Sequence, residues 1–401
     1  MIIYYDTKEK LWFHTDGEAH YTLGVEETPI PYRRELSPSS IPFHVSCRQH
    51  RNLGPLITIL GGQAQQQSVI GNVALFKQLQ QRVHDNGGIA VVTTAELIRE
   101  TRVDGYLFVP RENQWIEVQI PYPHIVFNRV PFRKQEQSKP FQAAIEAFKK
   151  RGSLIFNPSF LNKYELYLMF KDHPTLGPYF PETINITEMS NLREFLGEHQ
   201  HIYVKPSCSS KGQGIFRLLQ MENGIITYQN RKEMILFHDF EQFWQEYATL
   251  FQNREYIAQK GISPLLYHGK RYDFRILSHY DGSTYTVTGI GIRQSGEQSL
   301  TTHIPNGGKL LSFEEVYRKK DELFIQELVH LCGEQLAEKV GFFGEFSIDA
   351  GLTEDEQYVI YEINSKPMSF DEKEIEEERV QRLVALFEHL FVCLSPPNDV
   401  Q

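Results

Sequence analysis

The sequence predicts an α+β protein built from more than one structural unit, and three observations predict it. Its 401 residues exceed what a single hydrophobic core usually organises. The first fifty or so residues carry short β-like pieces without a helical period. The rest combines strand–helix–strand alternation with long strands and a closing strand pair. Composition is that of an ordinary globular chain, 41% hydrophobic and 23% charged, without a low-complexity tract or an apolar run long enough to cross a bilayer.

Taken in order, "IIYYD", "KLWFH" and "HYTLGV" are short strands separated by turn residues and form a small β unit. "GPLITILGG" is a buried-type apolar strand ending in glycines, and "NVALFKQLQQRVHDNGG" repeats apolar residues at helical spacing before a Gly-Gly stop. "IAVVTT" is the next strand, so this span has the order of a parallel α/β unit, continued by "DGYLFVP" and "PHIVFNRVPFR". Pro, Lys and Gln thicken in "PFRKQEQSKPFQ", which marks a boundary near position 140. Beyond it the expected elements are a helix at "FLNKYELYLMF", a helix at "NLREFLGEH", a strand "HIYVKP" and a loop "SCSSKGQG". Strands follow at "IFRLLQ", "EYIAQKGI", "RYDFRILSHY" and "YTVTGIGIR", then one long helix from Phe313 to Val340 and the pair "GEFSIDAGL" and "QYVIYEINS". The acidic run "DEKEIEEER" is the solvated start of the last helix.

Charge and cysteine usage narrow the function. A formal net charge of −10 argues against a nucleic-acid partner, since such partners are held by a surplus of Lys and Arg. Cys47, Cys208, Cys332 and Cys393 are far apart and make no CxxC pair, so they are expected to be reduced and structural. The start "MIIYYDTKEKLWFH" has acidic residues early and no small-residue cleavage site, which leads to the expectation of a cytoplasmic protein.

The chemistry begins in "YEINSKP". Antiparallel pairing about the turn in "TEDEQ" brings Asp349 opposite or next to Glu362, with Asn364 on the same face. Phe346, Ile348, Tyr361 and Ile363 fall on the other, apolar face. Two carboxylates on one sheet face repel unless neutralised, and a hard cation such as Mg²⁺, which takes oxygen ligands, is the natural solution. The loop "KPSCSSKGQGI" places small residues where backbone N–H groups can approach phosphate oxygens, with Lys205 and Lys211 adding positive charge. It lacks the GxxxxGK[ST] order and runs into a strand, and by itself it reads equally as a hairpin. In "GKRYDFRIL", Arg271, Asp273 and Arg275 share one strand face, and Arg293 ends the next strand; a phosphate site and a cross-strand ion-pair ladder both fit that pattern. "HIPNGGK" adds Asn306 in a turn-like setting. Asn128, Arg129 and Arg133 read either as lining the cleft or as a surface or interdomain ion-pair group, and Lys366-Pro367 as the end of the strand.

With these motifs assembled, the sequence resembles the ATP-grasp proteins, and more narrowly the YheC/YheD family of endospore coat-associated ATP-grasp proteins. "GEFSIDAGLTEDEQYVIYEINSKP" is similar to the closing metal-binding hairpin of the superfamily, while "PHIVFNRVPFR" and "GPLITIL" resemble the narrower family's N-terminal half. The resemblance implies an ATP-grasp domain over 141–395, in which a mobile lid subdomain (about 181–262) and a metal-binding subdomain (about 263–395) clasp ATP. An α/β pre-ATP-grasp domain over 53–140 and the β unit over 1–52 would precede it. It further implies that Asp349, Glu362 and Asn364 hold Mg²⁺, that Lys163 and Lys205 reach the α and β phosphates, and that the 207–214 loop, with Ser207, Ser209, Ser210, Lys211, Gly212 and Gly214, covers the triphosphate. "AQKGI" would read adenine through the Gln259 side chain and the backbone of Lys260 and Ile262, with Gln259-Lys260 standing where the wider superfamily often has an acidic residue. Arg275, Arg293 and Asn306 match positions that steady the γ-phosphate or an acyl phosphate in amide-forming relatives.

The activity implied is an ATP- and Mg²⁺-dependent ligase that joins a carboxylate to an amine through an acyl phosphate, on a small molecule or peptide, during spore coat formation. A non-catalytic ATP-binding assembly protein of the coat, in contact with other coat proteins, and a small-molecule kinase are the competing classes. The mother-cell cytoplasm, with association to the coat, is the expected location.

Overall fold

The structure is a computed structural model that describes residues 1–394 apart from 18, 48–50, 64–68, 111, 209–212, 297–301, 303–306 and 317. The N-terminal strands form two small sheets. One has the order Leu11–Phe13, Ile2–Asp6, Ser40–His44, and the other Thr28–Ile30, Tyr21–Leu23, Asn52–Gly54, Ser46–Cys47. Their apolar residues, among them Ile3, Tyr5, Trp12 and Phe43, share one core with Leu56, Val91 and Val126 of the following sheet. Trp12 Nε1 donates to the Gln119 carbonyl at 2.8 Å, so the indole is satisfied where it is buried.

That following sheet has six strands in the order Gln114–Ile120, Val103–Val109, Ile89–Thr93, Leu56–Leu60, Ile125–Asn128, Leu154–Phe156. The last four are parallel. Leu154–Phe156 lies beyond the boundary expected near 140, and the Pro-rich stretch there is helical: Ser138 caps the helix Lys139–Lys150, its hydroxyl accepting from Phe141 N at 3.3 Å, and Pro140 sits in the first turn, where no backbone N–H is needed. Alternation divides the central strand. Leu56 and Leu60 face the core shared with the N-terminal strands, while Ile57 and Ile59 face the helix Val73–Asp85 and the final helix Lys373–Cys393. The acidic start of that final helix is thus followed by a stripe, Val380, Leu383, Phe387 and Leu390, buried against a sheet about three hundred residues earlier in sequence.

A second six-stranded sheet, Thr183–Ile186, Tyr256–Lys260, His201–Pro206, Phe216–Gln220, Ile226–Gln229, Met234–Phe237, packs on the helices Met189–His199 and Phe240–Asn253. The last two strands and the second helix are additional to the elements expected. Asp239 caps that helix, its carboxylate accepting from Gln242 N at 2.8 Å. The third sheet runs Lys309–Leu311, Tyr285–Gln294, Lys270–Tyr280, Glu345–Leu352, Tyr358–Asn364, all antiparallel. In place of one helix from 313 to 340 there are two, Phe313–Val316 and Lys319–Lys339. The second starts afresh because Asp321 accepts from Arg318 N at 3.0 Å, a capping contact that defines a new N-terminus. All four cysteines are free; only Cys332 is buried, so a structural role holds for it and not for the exposed Cys47, Cys208 and Cys393.

The first sheet, the third sheet and the final helix meet at Glu345. Its carboxylate is fully buried and takes Arg129 Nη1 at 2.8 Å, Arg379 Nε at 2.9 Å and Arg379 Nη2 at 3.0 Å. Both arginines also donate to the Pro367 carbonyl. Arg129 follows the end of a parallel strand and Arg379 belongs to the final helix, so the interdomain ion-pair reading of Arg129 is the one observed. Asn157 completes the junction, donating to the Glu345 and Ser365 carbonyls and accepting from Gly344 N at 2.9 Å. Burial alone would push the Glu345 carboxyl up; the guanidiniums of Arg379 and Arg129 more than reverse this and hold it well below the usual carboxylate range.

Glu345→Gln leaves two buried guanidiniums undercompensated and is expected to lower the unfolding free energy by about 3–5 kcal/mol in denaturant titrations. Because the folded carboxyl lies below its unfolded value of about 4.3, its stabilisation is complete above that pH. It is lost as the pH falls toward the depressed folded value, so wild type and Glu345→Gln should converge in acid.

A carboxylate and guanidinium site between two sheets

The site is built on the strands Glu345–Leu352 and Tyr358–Asn364, whose register sets Asp349 directly opposite Glu362. Phe346, Ile348, Ala350, Leu352, Ile360 and Ile363 are buried on the other face. The register slips between Asp349 and Ala350, which pairs with Ile360. Tyr361 is therefore the extra residue of a β-bulge and shares the side of Glu362, leaving the core position to Ile360. This corrects its placement on the apolar face. Its ring lies beneath the Arg271 guanidinium, 4.8 Å from the centroid. A Cβ at position 351 would come within 2.6 Å of the Tyr361 hydroxyl, so Gly351 provides the room for the ring.

Three groups answer the two carboxylates. Asn364 Nδ2 donates to Asp349 Oδ2 at 3.3 Å, Lys163 Nζ pairs with Glu362 Oε1 at 2.8 Å, and Arg275 is the register partner of Asp349 on the neighbouring strand. Burial raises the Asp349 carboxyl; Arg275 opposes this and the facing Glu362 adds to it. Burial acts on Glu362 in the same sense, but Lys163 outweighs it and the carboxyl is held down. Lys163 opens the helix Lys163–Phe170, whose cap Asn162 accepts from Tyr164 N at 2.8 Å.

On the strand Lys270–Tyr280 the two readings of the arginines separate. Arg271 pairs with Asp273 at 3.0 Å, and Asp273 also accepts from Thr302 at 2.8 Å, so this part is an ion-pair arrangement. Arg275 donates Nη2 to the Met368 carbonyl at 3.0 Å and lies 4.8 Å over the Phe370 ring; Arg293 pairs with Asp371 at 3.1 Å. Each of these two keeps a buried Nε–H without an acceptor among the described residues. Asp371 comes from the acidic run read as the solvated start of a helix, and no spacing in the sequence links it to Arg293.

The second sheet contributes Lys205, which is 8% exposed. Its Nζ donates to Gln259 Oε1 at 2.8 Å and to the Tyr361 carbonyl at 3.4 Å, joining the second sheet to the hairpin. Burial, reinforced by the neighbouring charge of Lys163, pushes Lys205 down to about 8. Gln259 in turn donates to Thr183 Oγ1 at 3.1 Å, and Lys260 N donates to the Glu182 carbonyl at 2.8 Å, with Ile262 just past the end of this strand. Ser207 Oγ donates to Glu255 at 3.2 Å, and Gly214 adopts φ +74° beside Pro206. Ser209, Ser210, Lys211, Gly212 and Asn306 lie outside the described residues. Lys366 directs its three donors to Glu136, Asn128 Oδ1 (2.9 Å) and the Val130 carbonyl (3.2 Å), so it anchors the strand end and has none left for a phosphate. Arg133 lies over the Phe160 ring, 4.9 Å away, and borders a cleft of about 620 Å³ that reaches Asn162 and Cys208; neither Asp349 nor Glu362 lines it.

The family model described as YheC/D like ATP-grasp matches residues 152–389. The chain is 26% identical over 388 residues to the endospore coat-associated protein YheD of Bacillus subtilis (strain 168), covering 88% of this chain and 85% of that protein. It is 22% identical over 280 residues to the endospore coat-associated protein YheC of the same organism, covering 66% and 76%. Among solved structures, D-alanyl-alanine synthetase A from Vibrio cholerae matches with a TM-score of 0.54 at 12% identity, over 84% of this chain and 99% of that one. VanG D-Ala:D-Ser ligase from Enterococcus faecalis matches with 0.54 at 12%, over 85% and 100%. At this identity the likeness shows the ATP-grasp fold.

The Lys163–Glu362 pair is expected to be held in the protein alone. A double-mutant cycle of Lys163→Met and Glu362→Gln, read by denaturant unfolding, should give a coupling of about 1.5–3 kcal/mol. Coupling near zero would mean that the two side chains do not interact in the folded protein.

Proposed function

The chain belongs to the YheC/D-like ATP-grasp family, and from that premise we propose that it is an ATP- and Mg²⁺-dependent ligase joining a carboxylate to an amine, acting in the mother cell during endospore coat formation. The observation that carries this reading is a pair of buried guanidiniums, Arg275 and Arg293, with unused Nε–H donors beside two facing carboxylates. Such donors suit oxyanions whose charge grows during phosphoryl transfer.

The donor set fits Mg²⁺: Asp349 and Glu362 supply hard carboxylate oxygens from facing positions, and Asn364 an amide oxygen beside them. Mg²⁺ bound by these residues would neutralise triphosphate charge and polarise the γ-phosphate. Lys163 and Lys205 would hold the α and β phosphates, the 207–214 loop would exclude water above them, and Gln259, Lys260 and Ile262 would border the adenine. Arg275, Arg293 and Asn306 would orient the γ-phosphate for in-line attack by the acceptor carboxylate. ADP then leaves, and an amine displaces phosphate from the acyl phosphate to form the amide. The names of the relatives support the link to the spore coat, and among the described residues no helix is long and apolar enough to cross a membrane.

Incubation with Mg·ATP, pools of small acids and peptides, and hydroxylamine should release ADP and form a hydroxamate only with the cognate acid. ADP with a stable phosphorylated product would instead identify a kinase. Arg275→Met and Arg293→Met should each lower turnover by roughly 10²–10³-fold with a smaller effect on ATP affinity. Glu362→Gln should weaken Mg·ATP binding, and unchanged affinity would remove the metal assignment. Protonated Lys205 is the phosphate-binding form, so nucleotide affinity should fall as pH rises through about 8. Lys205→Met should bind more weakly and lose that pH dependence.

A further inference from the structure

A second group of metal-ligating side chains lies on the lid subdomain, apart from Asp349 and Glu362. Glu182 directly precedes the strand Thr183–Ile186, and Glu198 and His199 end the helix Met189–His199; one ligand atom from each lies within 4.8 Å of the others. The His199 side chain is 8% exposed and packs edge-on against Phe195 at 4.5 Å. Its Nε2 is buried and points into the cluster, 3.2 Å from Glu182 Oε2, yet without the alignment of a hydrogen bond, and no other described group satisfies it.

The setting is electrostatically incomplete. Two carboxylates stand together at the carboxyl end of a helix, where the backbone dipole already concentrates negative charge and a cation is favoured. A dication would relieve the repulsion between the glutamates, complement the helix end and give the orphaned ring nitrogen a partner. One imidazole nitrogen with carboxylate oxygens is the donor set of zinc-like transition metals; Mg²⁺ and Ca²⁺ prefer oxygen throughout. Both glutamates are exposed, so their side chains are free to change rotamer toward His199.

We propose that Glu182, Glu198 and His199 form a binding site for a transition-metal dication of the Zn²⁺ class, with water completing the coordination. The carbonyl of Glu182 accepts from Lys260 N at 2.8 Å, so the ion braces the helix end against the strand that runs past Gln259. This site is independent of the ligase reading and stands or falls without it.

The test uses the full chain stripped of metal by a chelator and titrated with Zn²⁺ against a chromophoric indicator. With excess Mg²⁺ present to compete at Asp349 and Glu362, one equivalent should still bind with micromolar or tighter affinity, and Zn²⁺ should raise the melting temperature. His199→Ala should weaken binding by at least about tenfold. Because that change also removes packing against Phe195, Glu182→Gln and Glu198→Gln, both at exposed positions, provide variants that keep the fold and should lose affinity and the thermal shift in the same way. Co²⁺ substituted for Zn²⁺ should show the intense visible bands of a low-coordinate site with a nitrogen donor. Equal Zn²⁺ uptake by wild type and all three variants, no uptake by wild type, or a Co²⁺ spectrum of the hydrated ion would each overturn the proposal.

Discussion

The ion pairs of Glu345 with Arg129 and Arg379 are the constraint on which the rest of this structure depends. They tie together the end of a parallel strand in the first sheet, the start of a strand in the third and the final helix. Desolvating three charges is expensive, and a buried ion pair is weak evidence for net stability. What the arrangement does supply is position. Glu345, Ser347 and Asp349 alternate on one face of the same strand, so anchoring Glu345 sets where Asp349 emerges. Asn157 reinforces this by holding the backbone on both sides of the junction, and Lys366 anchors the partner strand to Asn128 and Glu136.

On that frame the site is a balance of charge between two sheets. Asp349 and Glu362 face each other yet are driven in opposite directions, because Lys163 lies within ion-pair distance of Glu362 while Arg275 only partly offsets the burial of Asp349. Lys205 reaches from the second sheet to the Tyr361 carbonyl, so the bulge that turns Tyr361 toward the site also provides a contact between that sheet and the hairpin. The arginines divide the work: Arg271 is consumed by Asp273, whereas Arg275 and Arg293 are held by Met368, Asp371 and the Phe370 ring with donors still unused. The protein by itself fixes these cations in place, which is the electrostatic preorganisation that the proposed function requires.

Much of this was legible in the chain. The alternation in "FSIDAGL" and "YEIN", with turn residues between them, determined that Asp349 and Glu362 share a face, because a strand's period of two leaves one register that buries Ile348 and Ile363. Helical spacing and a Gly-Gly stop marked Val73–Asp85, and the charged, alternating strand marked the row of Arg271, Asp273 and Arg275. These are local signals: each is carried by neighbours within a turn or a hairpin. Other local signals are weaker than the composition around them. Ser138-Lys139-Pro140 is a helix start inside a stretch whose composition reads as a boundary, Asp239 opens a helix between two strands, and the Arg318–Asp321 cap divides what periodicity alone joins.

What only the tertiary structure decided lies beyond such distances. Nothing near Tyr361 in sequence announces a bulge, since the extra residue is admitted by the room left at Gly351 and the guanidinium of Arg271 across the sheet. Asp371 becomes a partner of Arg293, and Arg379 the partner of Glu345, only when the final helix docks on the first sheet. Residues two apart on a strand or three and four apart on a helix share a face by backbone geometry alone, so the sequence determined the paired carboxylates and the row of arginines. Which guanidinium is spent and which is left with a donor depends on how separate elements pack, a matter of burial and long-range geometry that residue spacing does not encode.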